Sequence, residues 1–304
     1  MTASPRRPGA LVTWCRLLRV PNLFTVPGDA MAGFILASGG RLGASLVGGA
    51  VGVVLLYAGG LLLNDYFDRA QDARERPERP IPSGAAGAAT VLAVGLLVLA
   101  AGVGVVFAVG GKVPGGVAAV LAVAVLAYDG GLKHVPWLGP LVMGSCRGGS
   151  VLVGAALAGG LGATAALVVA AIACVYTATV TLLAAREASG ARLKGSSYAP
   201  VYVLILAAVA MVAVARPEWA TAIVGLFLLG CAGLRIVVAA DKVQRVQIAV
   251  PVYIGVAIRA MVFIQAAWCL WRVPERFEDF VALAISFAVL LVGAELLSRR
   301  FYGS

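Results

Sequence analysis

Histidine occurs once in the 304 residues, and the five cysteines (Cys15, Cys146, Cys174, Cys231 and Cys269) stand singly. No C-x-x-C pair and no Cys/His cluster with zinc-ligand spacing can be assembled from them, which excludes structural zinc and dithiol chemistry. Charge is scarce as well. Asp, Glu, Lys and Arg make up 12% of the chain against 61% hydrophobic residues, too little polar surface to cover a water-soluble domain of this length. The first forty residues hold early arginines but no compact apolar core ending in a small-residue cleavage site, so no secretory leader is expected. No low-complexity linker or exact repeat interrupts the chain, which predicts one domain over 1–304.

What fills the sequence is a series of long apolar runs. A helix rising about 1.5 Å per residue needs about 20 of them to cross a hydrocarbon core. Candidate spans are 11–38, 43–68, 86–110, 113–132, 139–158, 162–184, 197–215, 218–239, 246–270 and 278–298. With the N-terminus in the cytoplasm, seventeen of the 24 Lys and Arg residues fall on that side and five on the other. The asymmetry predicts cytoplasmic termini under the positive-inside rule, in the inner membrane of a bacterium. The net charge of +10 is thereby accounted for by topology, and no nucleic-acid partner is implied. The expected fold is all-α, a polytopic bundle of nine to ten spans around a cavity open to the cytoplasmic side.

One run ends unlike the others, in residues 64–84, NDYFDRAQDARERPERPIPSG. If the helix continues, Asn64, Asp68, Asp72 and Asp65 project at about 0°, 40°, 80° and 100°, all in one quadrant. Carboxylates so close repel, and each is costly near hydrocarbon, so the cluster makes sense when a cation neutralises it. Carboxylate and amide oxygens suit a hard ion, and Mg²⁺ prefers one or two carboxylates plus waters and phosphate oxygens. The arginines that follow are suited to phosphate, and Pro77, Pro80 and Pro82 stiffen their loop.

This stretch resembles the first aspartate-rich motif of the UbiA superfamily of intramembrane prenyltransferases, N-D-x-x-D-x-x-x-D-x-x-x-R-P-x-R-P-x-x-S-G, at every fixed position. The resemblance implies a helical bundle in which Asn64, Asp68 and Asp72 bind Mg²⁺, Asp65, Asp68 and Asp72 serve catalysis, and Arg76 and Arg79 meet a prenyl diphosphate. VLAYDGGLKH is similar to the family's Tyr followed by a basic residue, implying Tyr128 and Lys133 at the diphosphate. VPNLFTVPGD resembles its first helix, with Asn22 lining the cavity and Asp29 either sharing it or capping the break near Pro27 and Gly28. GPLVMGSCRGGS places Arg147 in an apolar run, as a ligand for diphosphate or a polar acceptor, or else as a structural partner of Asp129 or of a helix terminus. Together these stretches look closest to the UbiA-like EboC branch.

The family's second motif, D-x-x-x-D, belongs in TLLAAREASGARLKGSS, where its aspartates fall on Ala185 and Ser189. Glu187 is the remaining acid and is expected to act in catalysis, while Arg186, Arg192 and Lys194 balance phosphate charge. The expected reaction is Mg²⁺-dependent transfer of a prenyl group from a prenyl diphosphate to an acceptor in the lipid membrane. A non-catalytic UbiA-like carrier for a lipid-like precursor is the alternative, and a secondary transporter with midplane charges is a third reading. The family has nine helices as a rule against ten counted here, and DKVQRVQ and WRVPERFEDF are where a re-entrant or interfacial segment would fall.

Overall fold

In a computed structural model the residues described are 9–188, 194–214, 219–272 and 276–301. Among them there is no strand, and ten helices are long and apolar enough to cross a membrane. The nine-to-ten expectation thus resolves at ten, and both polar intervals separate complete spans.

The first candidate span is broken in three. Helix α1 covers Ala10–Leu17, α2 Val20–Leu23 and α3 Pro27–Ala37. Pro21 and Pro27 sit in the first turns of α2 and α3, where a missing N–H is harmless; lacking that donor, neither can bond back to the preceding helix, so each marks a fresh helix start. Arg19, at the first break, takes left-handed backbone with φ 42° and ψ 53°, a conformation uncommon outside glycine. The membrane crossing itself is Val20–Ala37.

Helix α4 (Ala44–Phe67) leads into α5 (Arg69–Glu75) through Asp68, and α6 (Ala88–Gly110) and α7 (Lys112–Asp129) pack beside α4. Val53, Leu56, Leu99, Val106 and Leu121 form the core of this half. Helices α8 (Leu138–Leu157), α9 (Thr164–Ala188), α10 (Ala199–Val214), α11 (Trp219–Gln244), α12 (Val250–Trp271) and α13 (Phe277–Phe301) complete the bundle. With α3 they enclose a second core that includes Tyr176, Met211, Ile236, Tyr253 and Trp268.

α3 and α8 approach so closely that a Cβ built on Gly33 would lie 1.8 Å from the Val151 carbonyl oxygen, and one on Gly154 would lie 2.0 Å from that of Ala30. Only hydrogen fits at these crossings. The contact matters because α3 carries Asp29 and α8 carries Arg147.

Arg235, one of the seventeen cations counted on the cytoplasmic side, lies nine residues before the end of α11, at Gln244, paired with Glu295 of α13, which also meets Arg259 Nε of α12 at 3.3 Å. The balancing carboxylate stands 36 residues or more from either arginine in the chain, so nothing local in the sequence reveals the triad.

Candidate active site

The acidic helix end is assembled with cations from three other segments. Asp68 Oδ1 is 2.6 Å from Lys133 Nζ, and Asp72 Oδ2 is 2.9 Å from Arg79 Nη1. Asn64 donates through Nδ2 to Asp129 Oδ1 at 3.1 Å and accepts from Arg19 Nη2 at 3.4 Å. Asp68 is the joint between α4 and α5, with φ −81° and ψ −5°. That small departure from helical backbone keeps Asn64, Asp68 and Asp72 on one wall of a polar cavity of about 340 Å³.

Arg76, Arg79, Tyr128 and Lys133 line the same polar cavity, so the expected diphosphate partners do come together. Lys133 is held there by the short helix Leu132–His134, which follows the turn at Gly131, φ 151°. Arg19, Gln71, Glu75 and His134 also line it. Arg19 is one of the seventeen cations counted on the cytoplasmic side for topology. The signal was available in R-V-P-N, since a cation just before a proline break is fixed by that break. Gln71 and Glu75 follow Asp68 at three and seven residues, which the helical period also marks.

Asp65 departs from the expected quadrant. It is buried against Arg19 Nη2 at 3.0 Å and Arg79 Nη1 at 3.5 Å, and it faces a separate side cavity with Arg16 and Glu78. Its 100° offset from Asn64 turns it to the back of the wall, where it holds two arginines in position.

An apolar cavity of about 260 Å³ adjoins the polar one. Arg19, Asn64 and Tyr128 line both, and they form the junction. Asn22 lines the apolar side, as expected, and so does Asp129, a residue that sequence reasoning had considered only as a partner for Arg147. The level of Asn64, Ala184 and Ile254 lies seven residues along their helices from that of Tyr57, Thr177 and Met261. The cavity is therefore about 10 Å deep at 1.5 Å per residue.

Arg147 lines the deep end. Its Nε is 3.1 Å from Asp29 Oδ2, and Nη2 donates to the Thr25 carbonyl at 2.6 Å. Gln265 Nε2 of α12 donates to Asp29 Oδ1 at 2.6 Å and to the same carbonyl at 2.8 Å. Asp29 thus neither caps the break nor stands free in the cavity, and Arg147 pairs with Asp29 rather than with Asp129, because the Gly33/Gly154 crossing brings α3 against α8. Gly28 completes the arrangement, since a Cβ there would lie 2.2 Å from Gln265 Oε1.

Arg186 is exposed on the last turn of α9. Glu187 and Lys194 have described backbone but side chains outside the described residues, and Arg192 lies outside them altogether.

The arrangement supplies a cationic, oxygen-rich chamber beside an apolar one, joined at three residues. Comparison with known proteins places it. The backbone matches an apo structure of a UbiA homolog from Aeropyrum pernix K1 with a TM-score of 0.64, over 81% of this chain and 96% of that one at 17% identity. A structure described for digeranylgeranylglyceryl phosphate synthase in membranes matches with a TM-score of 0.58, over 87% and 99% at 16% identity. At such identities the likeness is one of fold. The digeranylgeranylglyceryl phosphate synthase of Natronomonas pharaonis is 30% identical over 187 residues, 62% of this chain and 67% of the relative. That of Ignicoccus hospitalis is 34% identical over 146 residues, so the alignment spans about half of each chain, 48% and 47%. A family model described as the UbiA prenyltransferase family matches residues 29–282.

Proposed function

We propose that this protein, which belongs to the UbiA prenyltransferase family, moves a prenyl group from an isoprenyl diphosphate to an acceptor within the membrane. Residues 1–304 act as one unit in this reading. The observation that carries it is the junction of the two chambers at Arg19, Asn64 and Tyr128. A substrate with a diphosphate head and a hydrocarbon tail needs both environments, and its allylic carbon belongs where they meet.

The donor set fits Mg²⁺. Among the described residues no three acidic, histidine or cysteine side chains form a ready metal cluster, but Mg²⁺ takes one or two carboxylates and fills its sphere with water and phosphate oxygens. Asn64, Asp68 and Asp72 offer hard oxygens on one wall. A single oxygen of each carboxylate is engaged by Lys133 or Arg79. These three would hold the ion, and when bound it would neutralise charge growing on the departing diphosphate.

Arg76, Arg79 and Lys133 bind the diphosphate oxygens, and Arg186, Arg192 and Lys194 supply charge in place of the family's second aspartate pair. The allylic C–O bond breaks with its electron pair going to the diphosphate, and the acceptor's nucleophilic atom bonds to the allylic carbon. Asp129, on the apolar side of the junction, is the better placed proton acceptor; Asp65 is a positioning residue for Arg19 and Arg79. Glu187 takes part from the last turn of α9. The apolar walls keep out water that would otherwise capture the carbocation. The polar chamber opens to the cytoplasm of a bacterial inner membrane, the side that Arg69, Arg74, Arg76, Arg79 and Lys133 select. The stretches around Asn22, Tyr128 and Arg147 support placing it in the EboC-like branch.

The test is incubation of membranes with labelled prenyl diphosphates, with and without Mg²⁺, followed by mass spectrometry of lipid products. A prenylated product that disappears in Asp68→Asn and Asp72→Asn is expected. Biological activity retained in both variants would support a carrier instead.

A further inference from the structure

The deep end of the apolar cavity is lined by a guanidinium whose hydrogen-bonding capacity is incompletely used. Arg147 Nε stands 3.1 Å from Asp29 Oδ2 as an ion pair without a hydrogen bond, and Nη2 donates to Thr25 and to Met261 Sδ at 3.3 Å. Among the described residues Nη1 makes no hydrogen bond. On the same cavity, Thr177 Oγ1 is buried and likewise without a partner. Both side chains sit about 10 Å from the junction where the allylic carbon belongs.

Three kinds of occupant can be ranked by their chemistry. A prenyl tail is hydrocarbon and leaves the guanidinium N–H and the threonine hydroxyl unsatisfied, which is unfavourable in a dry cavity. An anion satisfies them but adds a charge where Arg147 is already balanced by Asp29, so its desolvation goes uncompensated. A neutral oxygen accepts from Nη1 without adding charge. Tyr57, Cys146 and Met143 surround it with largely apolar surface.

We propose that Arg147 and Thr177 form the specificity site for the acceptor substrate, which is a mainly apolar molecule carrying a neutral hydrogen-bond-accepting oxygen. This deepens the prenyl-transfer reading and rests on it for the word acceptor. The prenyl tail then lies along the rest of the apolar cavity's lining, away from Arg147 and Thr177.

The experiment uses the full chain in nanodiscs of neutral lipid and three probes matched in shape, 1-fluoro-4-isopropylbenzene, 4-fluoroacetophenone and 4-fluorobenzoate. Binding is read by ¹⁹F NMR against empty nanodiscs. The ketone is expected to bind at least tenfold more tightly than the other two. Arg147→Gln alone would strand Asp29 and can unfold the bundle. The double variant Asp29→Asn/Arg147→Gln carries no unpaired charge, and in it the preference is expected to fall to within about twofold. Thr177→Val, with its fold verified by circular dichroism, is expected to weaken ketone binding severalfold. Equal binding of all three probes, preference for benzoate, or full ketone selectivity in the folded double variant each overturns the inference. The probes read binding without turnover, so the two failures are separable: prenyl transfer without ketone selectivity refutes only the specificity site. Ketone selectivity in a protein that transfers no prenyl group refutes the word acceptor, and with it this proposal.

Discussion

Replacing Gly154 by alanine tests the chain of dependence from helix packing to the buried polar network. The added Cβ would lie 2.0 Å from the Ala30 carbonyl oxygen, and its neighbour is backbone, so no side chain can swing away. An ordinary contact begins near 3.4 Å, so α3 and α8 must part by about 1.4 Å at this point. The Asp29–Arg147 separation of 3.1 Å would then approach 4.5 Å, too long for an ion pair. Overpacking alone costs about 1–3 kcal/mol. Opening a buried ion pair adds to that, because neither charge finds water. The assay is equilibrium unfolding of the purified protein in mixed micelles of rising SDS fraction, followed by tryptophan fluorescence and circular dichroism. Gly116→Ala is the control, since nothing lies within 4 Å of its Cβ and alanine is favoured over glycine in a helix by up to about 1 kcal/mol. Gly154→Ala should unfold at clearly lower SDS, and Gly116→Ala at the same or higher. Coincident curves for wild type and Gly154→Ala would refute the reasoning that close backbone approach builds this network.

Asp68→Asn is expected to lower prenyl transfer by about 10²-fold or more, the scale of losing one charge-stabilising group, measured as labelled product per unit of folded protein. Arg19→Gln should raise the KM for prenyl diphosphate at least tenfold, because it releases both Asn64 and Asp65, and steady-state kinetics at saturating acceptor will read it. Chelation of divalent ions should stop product formation and added Mg²⁺ should restore it, whereas a chelation-resistant activity would argue against the Asn64–Asp68–Asp72 site. Glu295→Gln leaves Arg235 and Arg259 facing one another without a counter-charge. Because the three side chains are partly exposed, a loss of about 2 kcal/mol is expected, below the range for fully buried pairs, in the same SDS titration.

Sequence alone marked the candidate crossings, because hydrocarbon admits only long apolar helices and each run announces itself by length, and the structure settled nine against ten. The sequence also exposed the acidic wall. Asn64, Asp68 and Asp72 lie within one continuous stretch, and helical period carries them to one side whatever surrounds them. Arg79 was legible as a cation in the same stretch, and Lys133 through the resemblance of VLAYDGGLKH to the family's Tyr followed by a basic residue. Tertiary structure decided the partnerships. Asn64 meets Asp129 across 65 residues and Asp29 meets Gln265 across 236, and the apolar helices that bring them together are hydrophobic all round, so no stripe in the sequence says which face looks inward. Glycine is spread through the chain, and only the packed bundle distinguishes Gly33 and Gly154, pressed on backbone, from Gly104 and Gly116, which touch nothing. The break at Arg19 likewise became a site feature only when α4 was set beside it, since a left-handed residue has no chemical meaning until its side chain has something to reach.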